Sequence, residues 1–237
     1  MESLFTFVAP PDRCGYLPEQ VWSLQYEYVA AMSAEEYRQR MLAGWRHFGH
    51  MLFRPRCPRC TACRSLRILV KRFHPDRSQR RARKANDGVV RLVIGPPSVS
   101  AEKLDLYDRY HTFQAGNRGW PEHGPKEEDS YVDSFVSNPF PVQEWCYYLG
   151  DKLIGVGYAD ELPGCLSAIY FFYDPEHRDR SLGTYNVLCL IEYAARRGLE
   201  HVYLGYYVAG CPSMEYKPRF RPNQLLGLDG QWHDYLP

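Results

Sequence analysis

Alternating apolar and polar positions mark short strands at Ser3 to Val8, Trp22 to Val29 and Ser65 to Val70. A 3.6-residue spacing after Ser33 predicts a helix, and the Ser33-Ala-Glu-Glu36 start supplies a capping box for it. A second helix is expected from Ser78 to Ala85, closed by the Asn86-Asp87-Gly88 turn. Gly95-Pro96-Pro97 then breaks the pattern and divides the chain into residues 1–98 and 99–237, with Val89 to Ile94 supplying the first strand of the second part. Helices from Ala101 to Phe113 and Asp129 to Val136 follow. Strands Glu144 to Leu149 and Lys152 to Ala159 meet at Gly150-Asp151; strand Leu166 to Tyr173, helix Ser181 to Arg197 and strand His201 to Tyr207 complete the order. This β-α-α-β-β-β-α-β succession predicts a mixed α/β fold around a mostly antiparallel sheet.

Charge changes this picture through its distribution. The 237-residue chain carries 29 basic and 28 acidic side chains, so its net charge names no partner. Between Arg54 and Arg91, however, thirteen Lys or Arg face only Asp76 and Asp87. No basic, apolar leader opens the sequence, and runs such as Ala168 to Tyr173 fall far short of the ~20 residues that span a bilayer. We therefore expect a cytoplasmic protein without a membrane partner. In a reducing compartment its eight cysteines are thiols or metal ligands rather than disulfides.

Two candidate sites lie in the basic segment. Cys57-Pro-Arg-Cys60-Thr-Ala-Cys63 places three thiols two residues apart, and Cys14 could add a fourth. Such a set suits tetrahedral zinc or an iron–sulfur cluster, and spacing does not choose between them. The alternative is free thiols in a tight loop. Arg77, Arg80, Arg81, Arg83 and Lys84 follow, with Ser78 and Gln79 among them. These cations and donors suit a phosphodiester backbone, although a charge run can also be a solvated helix face. The nucleic-acid reading is adopted because basic residues continue across the cysteine loop without alternating acids.

Two further clusters lie in the second part. At Arg178-Asp-Arg180-Ser181-Leu-Gly183-Thr184 a strand and turn run into a helix whose first residues are small, leaving its N–H groups open to an anion. Arg178-x-x-Ser181-x-Gly183 resembles a degenerate pyrophosphate loop of the GCN5-related N-acetyltransferases, with serine in place of the first glycine. An N-capped helix start explains the same residues. The other cluster runs from Gly205 to Pro222 and includes Tyr206, Tyr207, Glu215, Lys217, Arg219 and Arg221, a composition suited to stacking an adenosine or holding a carboxylate.

Longer motifs carry a resemblance. Gly44-Trp-Arg-His-Phe-Gly49, Phe53-Arg-Pro55, the cysteine loop and Arg77-Ser-Gln-Arg-Arg81 resemble the N-terminal region of the arginyl-tRNA–protein transferase family. Asn138-Pro-Phe140, Glu144-Trp145, Ser167-Ala-Ile-Tyr170, Tyr203-Leu-Gly-Tyr-Tyr207 and Met214-Glu-Tyr-Lys217 extend it to nearly the whole chain. Within that family the chain resembles the compact bacterial form, the aspartate/glutamate leucyltransferases, which put leucine from Leu-tRNA onto N-terminal Asp or Glu and so mark a protein for degradation. The resemblance implies a GCN5-like second half, aminoacyl-tRNA as co-substrate, acceptor proteins beginning with Asp or Glu, and no coenzyme A or other organic cofactor. In eukaryotic relatives an N-terminal cysteine set is linked to a metal or iron–sulfur centre; here Leu17 replaces one of those cysteines.

The chemistry this implies is aminolysis of an aminoacyl ester by the acceptor's α-amine. Its reference pKa near ~8 leaves an appreciable neutral fraction at neutral pH, so positioning and oxyanion stabilisation matter most. The expected roles are proton relay for Tyr206, Tyr207 and Glu215, donor contact for Arg178, Arg180, Ser181, Gly183 and Thr184, and acceptor-carboxylate binding for Lys217 and Arg219, with Arg178 as a further candidate. Arginyl transfer, acyl-CoA N-acyl transfer and a non-catalytic tRNA-binding metalloprotein are the rival readings.

Overall fold

The computed structural model describes residues 1–122 and 124–235. The chain opens with β1 (Glu2–Val8), β2 (Asp12–Arg13), β3 (Val21–Trp22) and β4 (Leu24–Ala31). Buried Ser23 interrupts the single strand expected there. Helix α1 (Ala34–Leu42) starts as the capping box requires: Ser33 Oγ accepts from Glu36 N at 3.2 Å and Glu36 Oε2 accepts from Ser33 N at 2.8 Å. Strands β5 (Arg46–Phe48) and β6 (Met51–Pro55), which periodicity did not reveal, form a hairpin at Gly49. A Cβ at Gly49 would fall 1.9 Å from the Asp133 carbonyl, and its φ of +53° favours glycine as well.

The chain continues through β7 (Arg64–Leu69), α2 (Arg77–Asn86), β8 (Val90–Gly95), α3 (Ala101–Arg118) and α4 (Glu128–Tyr131). Asp76 and Gln79 form a second capping box at α2. Helix α4 passes into a π turn, Val132–Val136. Then come β9 (Gln143–Leu149), β10 (Lys152–Leu162), β11 (Cys165–Tyr173), α5 (Leu182–Arg196), β12 (His201–Tyr207), β13 (Asn223–Leu226) and β14 (Trp232–Asp234).

The strands form two main sheets. A four-stranded antiparallel sheet has the order β1-β4-β6-β5; an eight-stranded sheet runs β14-β13-β7-β12-β11-β10-β9-β8. The larger sheet draws strands from both sides of Gly95-Pro96-Pro97, since β7 lies between β12 and β13. All its neighbours are antiparallel except β11 and β12, which α5 joins by a crossover. Helices cover both faces, so β10 is buried almost continuously rather than at alternate positions. One core, including Trp145, Tyr147 and Leu188, packs around α5; another, including Cys146, Tyr158 and Phe172, packs towards α1, α3 and the smaller sheet. Among the described residues no helix is long and apolar enough to cross a membrane.

Candidate active site

The parallel pair creates the cleft. β11 and β12 stay in register only from Cys165↔His201 to Ser167↔Tyr203, then diverge. A cavity of about 510 Å³ opens there. Its walls include Ala168 to Phe171 of β11, Leu204 to Tyr206 of β12 and Ser181 to Thr184 at the start of α5, with Arg46, Phe48 and Phe53 from the smaller sheet. Once the ladder ends, β11 backbone groups facing β12 lose their strand partners. The first N–H groups of α5 add donors at the same mouth.

Ser181 shapes that mouth. It is the only non-glycine residue with positive φ among the described residues, at φ 55° and ψ 44°. Its side chain makes no capping hydrogen bond, so the N-capped reading of this turn is replaced by a left-handed one. Serine thus holds the conformation that the missing glycine would adopt without strain.

The cleft is cationic. Among the described residues its lining contains Arg46, Arg118 and Lys217 but no Asp or Glu. Arg46 is buried, and Nη1 donates to the Trp45 carbonyl at 3.2 Å while Nε and Nη2 have no hydrogen-bond partner among the described residues. Such an orphaned guanidinium edge costs free energy until an acceptor meets it. Lys217 Nζ donates to the Tyr206 carbonyl at 2.5 Å. Burial, followed by the charge of Arg46, lowers its pKa to about 7. The two cations converge at Gly205, where a Cβ would stand 3.8 Å from Arg46 Nε and 4.0 Å from Lys217 Nζ. Gly205 has φ +71°, at the register shift that turns β12 towards Lys217.

Beneath the cations, His47 Nε2 lies 3.0 Å from buried Asp160, and Nδ1 is 3.0 Å from the Gly49 carbonyl. His47 belongs to β5 and Asp160 to β10, so this contact fixes the smaller sheet to the larger one. The ring also meets Tyr37 edge-on at 4.8 Å.

Only some expected site residues meet at the cleft. Tyr206, Lys217, Ser181, Gly183 and Thr184 line it. Tyr206 Oη donates to the Gly44 carbonyl at 2.7 Å, an arrangement that positions β12. Tyr207 points elsewhere, its hydroxyl 3.3 Å from that of Tyr235. Glu215, Arg178 and Arg219 are exposed and outside the lining. Arg180 is occupied by a 2.8 Å bond to the Ala85 carbonyl. On α2, Arg77, Arg80, Arg81 and Lys84 are exposed, whereas Arg83 pairs with Glu192 at 2.8 Å. Arg46 was missed as a site residue because one arginine in a three-residue strand has no distinguishing local pattern; its only signal was the Gly44-to-Gly49 motif.

Cys14, Cys57, Cys60 and Cys63 line one adjacent cavity of about 330 Å³, separated from the cleft by Tyr16, Phe53 and Tyr206, which line both. Cys14 Sγ accepts from Tyr16 N at 3.4 Å and Leu17 N at 3.5 Å. Burial and then the neighbouring Cys57, Cys14 and Cys60 push the Cys63 thiol up to about 12. The donor set has the softness and number for zinc or iron–sulfur ligation. Among the described residues, however, no three His, Cys, Asp or Glu are arranged to hold a metal ion.

A sheet split at a parallel strand pair, with a left-handed turn and helix start below the split, defines a GCN5-like acyltransferase fold. The chain belongs to the arginine-tRNA-protein transferase family: residues 12–81 match the family's N-terminal model and 102–227 its C-terminal model. An aspartate/glutamate leucyltransferase of Campylobacter jejuni is 35% identical over 93% of this chain and 92% of its own. Relatives with the same description in Stenotrophomonas maltophilia and Pseudomonas fluorescens are 41% and 36% identical, covering 81% and 95% of this chain and 77% and 94% of theirs. FemX shares the fold at a TM-score of 0.51 and 8% identity, over 94% of this chain and 86% of its own.

Proposed function

We propose that this protein transfers leucine from Leu-tRNA to the α-amine of proteins beginning with Asp or Glu, marking them for degradation through the N-degron pathway. The names of its relatives support the reaction. The observation that carries the acceptor assignment is the acid-free cleft in which orphaned Arg46 meets Lys217. An acidic side chain supplies the missing acceptor, and the Arg46 fork can bind it bidentately. Arg219, which stands outside the lining, is replaced by Arg46 in this role.

The neutral α-amine attacks the aminoacyl ester carbonyl. A carbon–nitrogen bond forms, the carbonyl π electrons move to oxygen, and collapse of the adduct expels the tRNA 3′-terminal ribose oxygen. That oxygen takes a proton while the nitrogen loses one, giving an amide and a free hydroxyl. The open β11 edge and first turn of α5 present N–H groups for the oxyanion. Leu182, Val187, Leu204 and Met214 offer an apolar wall for leucine. An arginyl group would instead enter a cationic cleft containing no carboxylate, which favours the leucyl donor.

The reading includes a cytoplasmic location and no coenzyme A requirement, the latter tested by calorimetric titration with acetyl-CoA. It retains zinc or iron–sulfur ligation by Cys14, Cys57, Cys60 and Cys63, tested by metal analysis and absorption spectroscopy of an anaerobic preparation. No reaction step is assigned to that centre. The decisive experiment supplies labelled Leu-tRNA and Arg-tRNA to peptides beginning Asp, Glu, Lys or Arg. Leucyl transfer confined to Asp and Glu is expected; arginine-only transfer or labelling of Lys peptides would overturn the assignment.

A further inference from the structure

The smaller sheet presents an aromatic face of which the reaction above uses only Arg46, at its cleft end. Directly paired residues place Phe7, Tyr26, Phe53 and Arg46 in one row across its four strands. The next row contains Phe5, Tyr28, Met51 and Phe48 in the same manner. Directly opposed side chains share a face, so both rows lie together. Phe7 and Tyr26 stack at 5.0 Å and 19°, and Phe5 and Tyr28 at 5.3 Å and 10°. Phe5 and Phe7 are nevertheless 51% and 46% exposed. Large stacked rings open to water on an edge strand indicate an unmet partner.

The rows lead into the cleft. Phe48, Phe53 and Arg46 line the cavity, and Phe53 approaches Tyr206 at 6.4 Å. Neither row contains a carboxylate, while the strand and loop beyond Phe53 carry Arg54, Arg56 and Arg59. Three inter-strand spacings cover about 14 Å from β1 to β5. At about 3.4 Å per stacked base, this distance suits a run of roughly four unpaired nucleotides.

From this continuity we propose that the aromatic face is a stacking platform for the single-stranded 3′ end of tRNA, guiding its terminal ester past Phe53 into the cleft. The proposal rests on the aminoacyl-tRNA reading above and adds where the donor lies. Base faces stack on aromatic rings with little sequence preference, while neighbouring cations meet the phosphates. An extended acceptor peptide could add to the β1 edge, but backbone pairing would not explain the aromatic rows.

The test uses the full chain and a Phe5→Ser/Phe7→Ser double variant, whose exposed positions leave the cores intact. Binding is measured to deacylated tRNA with its complete 3′ end and to the same tRNA lacking its last four nucleotides; transfer kinetics are measured in parallel. The variant is expected to bind intact tRNA at least tenfold more weakly and to raise KM for Leu-tRNA, with acceptor KM unchanged. With truncated tRNA the two proteins should bind alike. Equal weakening on both tRNAs, unchanged binding to intact tRNA, a rise confined to acceptor KM, or loss only of a concentration-dependent dimer would overturn the platform. Failure of the unaltered protein to use aminoacyl-tRNA would overturn the parent reading; normal transfer with an indifferent double variant overturns the platform alone.

Discussion

In the proposed reaction Arg46 and Lys217 divide acceptor recognition between a permanent and a titrating charge. Arg46→Lys keeps a cation but loses the planar fork, so acceptor KM for Asp peptides is expected to rise by about 10- to 100-fold, corresponding to ~1.5–3 kcal/mol of charge-assisted hydrogen bonding. Matched Asp and Asn peptides would check it; an undiminished preference for Asp would remove Arg46 from recognition. Lys217, lowered to about 7 by burial and then by Arg46, loses charge as pH rises through that value. The acceptor amine becomes nucleophilic as pH rises, so kcat/KM should be bell-shaped and fall on the alkaline side as Lys217 neutralises. Lys217→Arg should abolish that fall because arginine remains charged. An unchanged alkaline limb would refute the assignment. Lys217 was a candidate from its surrounding aromatics and cations, and it lines the cleft; Arg46 was not a candidate, because its buried, unpaired edge is defined only by its neighbours.

At the scale of elements, the two capping boxes were legible because each is local: a side chain reaches an N–H three residues away. The use of α2 is less local. Arg80 and Arg81 are exposed, with Arg80 Nη1 donating to the Pro75 carbonyl at 2.5 Å, while Arg83 turns to Glu192 on α5. Removing charge at Arg80 or Arg81 should weaken tRNA binding and reduce its salt slope by about one per lost phosphate contact. Arg83→Ala should leave that slope unchanged and cost at most about 1 kcal/mol, as expected for a partly exposed ion pair. Titrations at several salt concentrations distinguish these cases; an equal change for all three would show that the helix face is not divided this way. Strands β5, β6, β13 and β14 escaped sequence reading because runs of three to five residues carry little periodicity. Their stability comes from partners elsewhere in the chain.

Across the whole molecule, His47 and Asp160 hold the smaller sheet against the larger one. Asp160→Ala should destabilise the protein by about 1–3 kcal/mol because it leaves buried His47 Nε2 without its hydrogen-bond partner. Acceptor recognition should fall with it, since Arg46 is adjacent to His47 on β5. Denaturant unfolding checks the first effect; a change below about 1 kcal/mol would show that apolar contacts alone hold the sheets together.

The sequence by itself determined the helix starts, the central hairpin, the family and the segments richest in polar chemistry, because caps, turns and periodicity act over a few residues. Tertiary structure decided which of those residues share a cleft. Only strand order reveals that β11 and β12 pair briefly and separate, and only the folded turn shows Ser181 in a left-handed conformation. The meeting of Arg46 with Lys217, and the exclusion of Glu215 and Arg219, follows from sheets joining residues more than a hundred positions apart. Long-range packing sets that distance, which no local sequence pattern records.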